Sequence, residues 1–226
     1  MFRICLVMAL AFVVKDLGSV SASAATRASY KIIRKEEVRK YGNMSATYLY
    51  QLPQLKGNSA AIKKINKSLR ADYKKTLGNK KWLFEYFEWD KHKTNHQKYG
   101  SKYYATVRCT TEYNRKGYIC FHFTSRWYAG GVGNYSEYGL TYRLKDGKKM
   151  GIQDVIAGSR GTVKQRIAST YARKVSYRGY EPIMRMKYSD FKFYIKPGKK
   201  VVVCFGPYQP MGGNNFKTIT MKGKMK

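Results

Sequence analysis

Residues 117–144 read GYICFHFTSRWYAGGVGNYSEYGLTYRL, and this stretch is the best guide to the fold. Its two arms, 117–127 and 136–144, are rich in β-branched and aromatic residues, which favour strands. Between the arms, Gly130 and Gly131 supply the backbone freedom that a tight turn needs. The stretch lacks the Lys-Ser/Thr pair of a phosphate-binding loop, and no helical pattern follows it. We therefore predict a turn between two strands rather than a nucleotide-binding loop.

The same strand signature recurs along the chain, with turn signals between the segments. Further strands are predicted at 47–55, 82–89, 102–113, 190–195, 199–205 and 216–222. Two segments instead have apolar residues at spacings of three and four, which predicts amphipathic helices. The inward positions are Ile62, Ile65, Leu69 and Tyr73 in the first helix, and Val163, Ile167, Tyr171 and Val175 in the second, which runs from Thr162 to Ser176. The predicted fold class is α+β, a largely antiparallel β-sheet packed against two amphipathic helices.

The N-terminus has the pattern of an export signal. Arg3 precedes an apolar run from Ile4 to Val14, and Ala22-Ser23-Ala24 offers the small residues that signal peptidase recognises. The run is shorter than the roughly 20 residues that cross a bilayer, so the alternative to cleavage is an interfacial anchor. We expect a secreted or wall-associated protein with no stable transmembrane segment in its mature part. The predicted organisation is a signal peptide at 1–24, a polar leader or edge segment at 25–45, and one α+β domain at 46–226.

Net charge indicates the kind of partner. The chain has 45 Lys and Arg against 13 Asp and Glu, a formal net charge of +32. Such a surface attracts polyanions strongly and with little selectivity, although a basic surface can also serve solubility alone. An exported protein meets anionic wall polymers, lipid head groups, sulfated glycans and extracellular nucleic acid. The residues expected to bind them lie on the outer helix faces: Lys63, Lys67, Arg70 and Lys74 in the first helix, and Lys164, Arg173 and Lys174 in the second.

Three cysteines follow the predicted signal peptide, and an odd number excludes a complete disulfide framework. If Tyr113 pairs with Tyr118 across the predicted hairpin, Cys109 and Cys120 share a face but lie diagonally. That geometry permits a disulfide between them without requiring one. Cys204 lies in an apolar strand and is expected to be a small buried hydrophobe. No local histidine would activate a catalytic thiol.

The residues that could carry catalysis form no coherent set. His92 and His96 have helical spacing, but their segment is polar and rich in lysine, and no glutamate follows His92 as a zinc-protease helix requires. Glu85 and Glu88 would point to opposite faces of the predicted strand, unlike the facing carboxylates of a glycosidase. We expect these acids to balance nearby lysines. The sequence therefore predicts a protein that is not an enzyme and uses neither a metal nor a cofactor.

A series of short motifs resembles one bacterial family. In chain order they are YLYQLPQLKG at 48–57, Ile65-Asn66 in the first helix, Tyr128-Ala129-Gly130-Gly131, LTYRLKDGK at 140–148, IQDVI at 152–156 and FGPYQPMGG at 205–213. Together they resemble the RsiV-like extracytoplasmic domain, which occurs in the anti-sigma factor RsiV and beside the deacetylase domain of PdaC. The resemblance extends from Ala46 to Lys222. It implies a non-catalytic domain of envelope proteins, which in the anti-sigma factor binds lysozyme.

Two features set this chain apart from that family. The family turn carries a histidine where this chain has Gly133. Lysozyme is basic, so a strongly basic chain would repel it.

We expect a secreted, non-catalytic envelope-binding module that captures an anionic cell-wall polymer or another acidic partner. The alternatives are an extracellular nucleic-acid or sulfated-glycan binder, and an inhibitor or decoy that binds a secreted protein. Further contacts are expected from the hairpin residues Trp127, Tyr128, Gly130, Gly131, Asn134 and Tyr135.

Overall fold

The computed structural model describes residues 26–93, 95, 101–159, 161–211, 213 and 215–224. The predicted signal peptide and His96 lie outside these residues. The strands are β1 (Tyr30–Tyr41), β2 (Met44–Leu55), β3 (Lys102–Arg115), β4 (Tyr118–Ala129), β5 (Val132–Arg143), β6 (Lys192–Lys196), β7 (Lys200–Phe205) and β8 (Lys217–Lys222). The helices are α1 (Ala60–Lys75), α2 (Leu77–Asp90), α3 (Ile152–Val155), α4 (Thr162–Lys174) and α5 (Tyr180–Arg185). In the described part of the chain, none of the helices is both long and apolar enough to cross a membrane.

The strands form two sheets. Five of them make a sheet in the order β1-β2-β3-β4-β5, and the other three make a sheet in the order β6-β7-β8. Neighbours run antiparallel except for β2 and β3, which run parallel and are joined through α1 and α2, as a parallel pair requires. The α+β prediction, with a mainly antiparallel sheet and two packed amphipathic helices, is confirmed. The structure adds that the strands divide between two sheets.

Each sheet has its own apolar core. On the five-stranded sheet, Ile65 and Leu69 of α1 are buried, as their spacing predicts. On the three-stranded sheet, α4 buries Ile167 and Tyr171 in the same way. Periodicity is a local property of the helix, so the sequence alone indicates which side chains face inward.

The second sheet packs on the face of the first sheet that α1 and α2 leave open. Its strand β6 crosses β5 at Gly139, where a Cβ would lie 2.3 Å from the carbonyl oxygen of Phe193 and 2.8 Å from the Cα of Tyr194. On the neighbouring strand β4, the Sγ of Cys120 accepts a β6 backbone N–H at 3.4 Å. The His122 ring stacks on Tyr194 with centroids 3.9 Å apart. The absence of a side chain at Gly139 therefore allows the two backbones to meet.

Residues 82–89 are helical, so the strand predicted there is wrong. They belong to α2, in which the buried residues Leu83 and Phe87 have helical spacing. Trp82 and Trp89 are 47% and 61% exposed, so aromatic residues lie around the whole helix. This distribution hides the helical period, and the strand propensity of aromatic residues dominates a local prediction. Packing of Leu83 and Phe87 on the sheet favours the helix.

The disulfide that the sequence permits between Cys109 and Cys120 does not form, since both thiols are free and buried. Near the turn Tyr113 pairs with Cys120, but beyond a β-bulge Cys109 pairs with Phe123. The bulge adds one residue to β3, and a shift of one residue turns the following side chains to the other face. Cys109 therefore lies in the first core and Cys120 in the second. Burial raises the pKa of the Cys120 thiol to about 11 and disfavours the reactive thiolate.

The segment 25–45 contributes an edge strand to the main sheet. Of the two alternatives for this segment, leader or edge, the structure shows that β1 pairs with β2 along its whole length. Pro53 of β2 lies opposite Ile32, beyond Tyr50–Val107, the last residue pair between β2 and β3. The proline therefore removes no hydrogen bond from the parallel ladder, which explains how an interior strand accommodates it.

Candidate anion-binding surface

The predicted hairpin forms from β4 and β5, joined at Gly130 and Gly131. Both glycines have positive φ, 61° and 87°, the combination that a type I′ hairpin turn requires. Gly130 also lies against α2, because a Cβ there would fall 2.2 Å from the hydroxyl oxygen of Tyr86. The two glycines therefore shape the turn and permit close packing of the hairpin end against α2.

The aromatic residues of this hairpin end divide between the two faces of the sheet. Trp127 faces α2, with its ring centroid 5.7 Å from that of Trp82. Tyr128 lies on the other face and stacks on Tyr104 at 5.8 Å, and Tyr135 shares that face. Successive side chains of a strand point to opposite faces. The hairpin residues predicted to form one ligand edge are therefore not brought together as one flat surface.

Asn134 is the remaining polar residue predicted at the hairpin. It pairs directly with Trp127 and shares its face of the sheet. Its Oδ1 atom is buried and has no hydrogen-bond partner among the described residues. Asn134 as a whole is half-buried, and the oxygen that could accept a hydrogen bond from a ligand is not exposed.

The outer face of α1 carries a continuous basic stripe. Lys63, Lys67, Arg70 and Lys74 are all exposed and follow one another at spacings of four, three and four. At the rise of an α-helix the stripe is about 16 Å long. Within the described residues, these cations form no ion pair, although an Arg70 Nη atom donates to Gln54 at 2.8 Å. The structure therefore places all four predicted residues on one solvent-facing row.

A second basic surface is a groove of about 440 Å³ between α4 and β8. Four cations line it together with hydroxyl-bearing residues. The cations are Arg166, Arg173, Lys174 and Lys222, and the hydroxyls belong to Ser169, Thr170 and Thr220. Helix α4 contains no acidic residue, and in the described part of the chain no carboxylate forms an ion pair with these cations. We refer to this feature as the α4–β8 groove.

The groove contains only some of the cations predicted for the outer face of the second helix. Arg173 and Lys174 lie in the groove, but Lys164 lies apart from it, with its ammonium 5.0 Å from the centre of the Tyr188 ring. Lys222 was missed, because it is far from α4 in the sequence and no local pattern connects the two. Arg166 was detectable from the helical pattern as an outward position of α4.

The acidic residues of α2 lie elsewhere and are paired. Glu85 lies 3.7 Å from Lys81, and Glu88 lies 2.5 Å from Lys91. The expectation that these acids balance nearby lysines is confirmed. Charge on the α2 side is thus locally neutralised, whereas the α1 stripe and the α4–β8 groove keep uncompensated positive charge.

Comparisons with known proteins show that this chain resembles solved structures in its fold. No protein-family model matches the sequence, and no curated protein matches it either. A crystal structure of a DUF3298 family member from Bacteroides fragilis superposes with a TM-score of 0.53 at 12% identity, covering 87% of this chain and 90% of that one. A DUF3298 family protein from Pseudomonas aeruginosa gives a TM-score of 0.50 at 12% identity, covering 86% of this chain and 89% of that one.

The chain has the DUF3298 fold. DUF3298 denotes a domain of unknown function, and a likeness at 12% identity shows the fold alone. A functional assignment must therefore rest on the arrangement of side chains in this chain.

A polar cluster lies where β6 packs on the five-stranded sheet, beside the stacked rings of His122 and Tyr194. His122 Nε2 lies 3.0 Å from Glu137, and its Nδ1 lies 3.4 Å from Glu112. Tyr135 donates its hydroxyl to the same Glu137 carboxylate, so this predicted ligand residue already has an internal partner. Among the described residues there is no group of histidine, cysteine or acidic side chains with the geometry of a metal site. These contacts join three neighbouring strands of the five-stranded sheet, β3, β4 and β5.

Buried tyrosines predict a stability limit at alkaline pH. Desolvation and a hydrogen bond to a carboxylate raise the pKa of Tyr103 to about 12, and the pKa of Tyr135 also to about 12, from an ordinary value of 10.0. The folded chain holds these protons more tightly than the unfolded chain. Their contribution to stability is therefore complete below pH 10 and is lost as the pH rises towards about 12. We expect the midpoint of urea unfolding to fall over this range.

Tyrosinate absorbance provides the check on this expectation. Tyr103 and Tyr135 should ionise only as the chain unfolds, so their tyrosinate absorbance should appear together with the loss of structure. A Tyr103→Phe/Tyr135→Phe variant should lose part of the alkaline dependence. Ionisation of all tyrosines in one step near pH 10 with the fold intact would contradict the burial seen here.

Proposed function

We propose that this chain is a secreted, non-catalytic envelope-binding module of the RsiV-like type, which captures an anionic wall polymer. The α4–β8 groove carries the proposal, because its four cations line one depression and have no carboxylate partner in the described part of the chain. Lysine ammonium and arginine guanidinium groups bind phosphate oxygens, and hydroxyl groups such as those of Ser169 and Thr220 can donate further hydrogen bonds.

Capture by this surface is electrostatic and multivalent. A single exposed ion pair contributes at most about 1 kcal/mol, so one anionic group would bind weakly. A polymer with regularly repeated charges can contact several cations of the groove at once, and each contact raises the effective concentration for the next. The formal net charge of +32 also increases the rate of encounter with any polyanion.

Two parts of the proposal, the RsiV-like type of the domain and its export, are supported by separate observations. The ordered sequence motifs and the DUF3298 fold support an RsiV-like domain, and the N-terminal pattern supports export. The basic charge disfavours lysozyme as the ligand, since two basic proteins repel each other. The uncompensated cations favour an acidic polymer as the partner instead.

The proposal is tested by retention of the protein on purified cell-wall sacculi with and without teichoic acid. We expect retention to need the teichoic acid and to fall steadily as salt is added, because the screening length shortens from about 30 Å at 0.01 M to about 8 Å at 0.15 M. A triple variant, Arg166→Gln/Arg173→Gln/Lys174→Gln, should be released at markedly lower salt than the parent. Salt-insensitive retention would contradict electrostatic capture.

A charge-matched control separates the groove from net charge. The variant Arg34→Gln/Lys81→Gln/Lys148→Gln also removes three positive charges, but from residues that are ion-paired with Glu36, Glu85 and Asp154. We expect this control to be retained much more strongly than the groove variant. Equal loss in the two variants would show that overall charge, and not the groove, determines binding. Competition with DNA and with heparin distinguishes wall polymer from the alternative polyanions.

A further inference from the structure

A separate pocket lies where the two cores meet, and none of the residues predicted from the sequence to bind a ligand lines it. Its volume is about 420 Å³, within the range of small-molecule sites, and we call it the junction pocket. It is formed by the end of α1, by β5 and by the segments 149–152 and 188–193. Every residue that lines it is in the described part of the chain. Clefts between packed units are common places for ligand sites.

Asp72 of α1 provides a fixed hydrogen-bond acceptor in this pocket. Its Oδ2 accepts the hydroxyl of Tyr50 at 2.9 Å and the hydroxyl of Tyr138 at 2.8 Å. Burial and the nearby carboxylate raise the pKa of both tyrosines, so both stay protonated and keep donating. The Oδ1 atom of Asp72 has no protein partner among the described residues. The two tyrosines thus orient a carboxylate whose second oxygen is free to accept a hydrogen bond.

Three lysines at the same pocket exceed the charge of this one carboxylate. Lys75, Lys149 and Lys192 line it, and within the described residues none of them forms an ion pair. Lys149 is positioned by a backbone bridge to Tyr142 of β5. Partial desolvation of its ammonium lowers the pKa of Lys149; the nearby Asp72 carboxylate opposes this effect, and Lys192 and Lys75 add to it. Three cations close together around one acid favour a bound anion.

The rest of the lining is apolar. Met150, Phe191 and Phe193 are buried side chains that border the pocket and offer a surface for a carbon skeleton. A ligand that matches all three features has an anionic group, a hydroxyl donor and a short carbon chain or ring. Phosphate suits the lysines, since a compact ammonium binds it as a point charge.

We propose that the junction pocket binds a small phosphorylated polyol, such as glycerol phosphate or a sugar phosphate. The phosphate lies between the ammonium groups of Lys149, Lys75 and Lys192, and a ligand hydroxyl donates to Oδ1 of Asp72. This site is distinct from the α4–β8 groove. It does not depend on the wall-polymer proposal, and either proposal can fail without the other.

The test is a titration of the isotope-labelled full chain with sn-glycerol 3-phosphate, followed by amide chemical shifts. We expect saturable shifts centred on Lys149, Met150 and Lys192, with a dissociation constant on the order of 1 mM. Lys149→Gln should weaken binding about tenfold, since it removes one of the three ammonium groups that line the pocket. Lys81→Gln, which removes a lysine of α2 that is ion-paired with Glu85 and lies outside both sites, should leave the titration unchanged.

A second variant tests the role of Asp72. Asp72→Asn can still accept hydrogen bonds from both tyrosines, but it then presents an NH₂ group where the ligand hydroxyl needs an acceptor. It should weaken glycerol phosphate by about tenfold while inorganic phosphate binds at least as well as in the parent. Shifts confined to α4 and β8, equal effects on both probes, or no saturation by about 100 mM would overturn the proposal.

Discussion

Replacing Gly139 with alanine is expected to lower the free energy of unfolding by about 3 kcal/mol, because there is no room for a methyl group where β6 crosses β5. The atoms nearest to the added Cβ would include the Phe193 carbonyl oxygen at 2.3 Å and the Tyr194 Cα at 2.8 Å. These are backbone atoms, which cannot rotate away as the end of a flexible side chain can. The two sheets must separate locally to accept the methyl group, and urea denaturation would measure the cost.

Gly78→Ala is the matched control for this substitution. Gly78 lies near the start of α2, and a Cβ there would meet nothing within 4 Å. Its stability should equal that of the parent or exceed it by up to about 1 kcal/mol, since alanine favours a helix over glycine. If Gly139→Ala were as stable as Gly78→Ala, the close approach of β5 and β6 would be incorrect.

Asp72→Ala is the second change with a large expected effect. It removes the acceptor that Tyr50 and Tyr138 share, at 2.9 Å and 2.8 Å, and leaves the two hydroxyls to bond only with each other, so that one O–H donor is unsatisfied. An unsatisfied buried polar group costs about 1–3 kcal/mol, so we expect a loss of about 3 kcal/mol in the free energy of unfolding. Asp72→Asn, which retains an acceptor oxygen, should recover a large part of that loss.

The cause of the Asp72 effect can be isolated by removing the hydroxyls as well. In the variant Asp72→Ala/Tyr50→Phe/Tyr138→Phe no polar group is left unpaired at this position. The triple variant should therefore be more stable than Asp72→Ala alone, although it carries two more substitutions. A triple variant that is less stable than the single one would mean that Asp72 acts through something other than these hydrogen bonds.

The candidate sites differ in how far the sequence could reveal them. The α1 stripe follows from a single helical period, since Lys63, Lys67, Arg70 and Lys74 lie within one element. Only part of the α4–β8 groove could be predicted from the sequence, because Lys222 joins Arg173 only when β8 packs beside α4. The junction pocket had no signal in the sequence. Its lining comes from four separate parts of the chain. In the sequence its key carboxylate, Asp72, is simply one acidic residue in a basic helix.

By itself the sequence determined the features that depend on neighbours along the chain. The inward rows of α1 and α4, the β4–β5 hairpin and the strongly basic character all follow from local spacing or from composition. Tertiary structure decided the rest. It made residues 82–89 a helix, because packing of Leu83 and Phe87 outweighed aromatic strand propensity. It also placed Cys109 and Cys120 in different cores, because one extra residue in β3 reverses the face of every side chain beyond it.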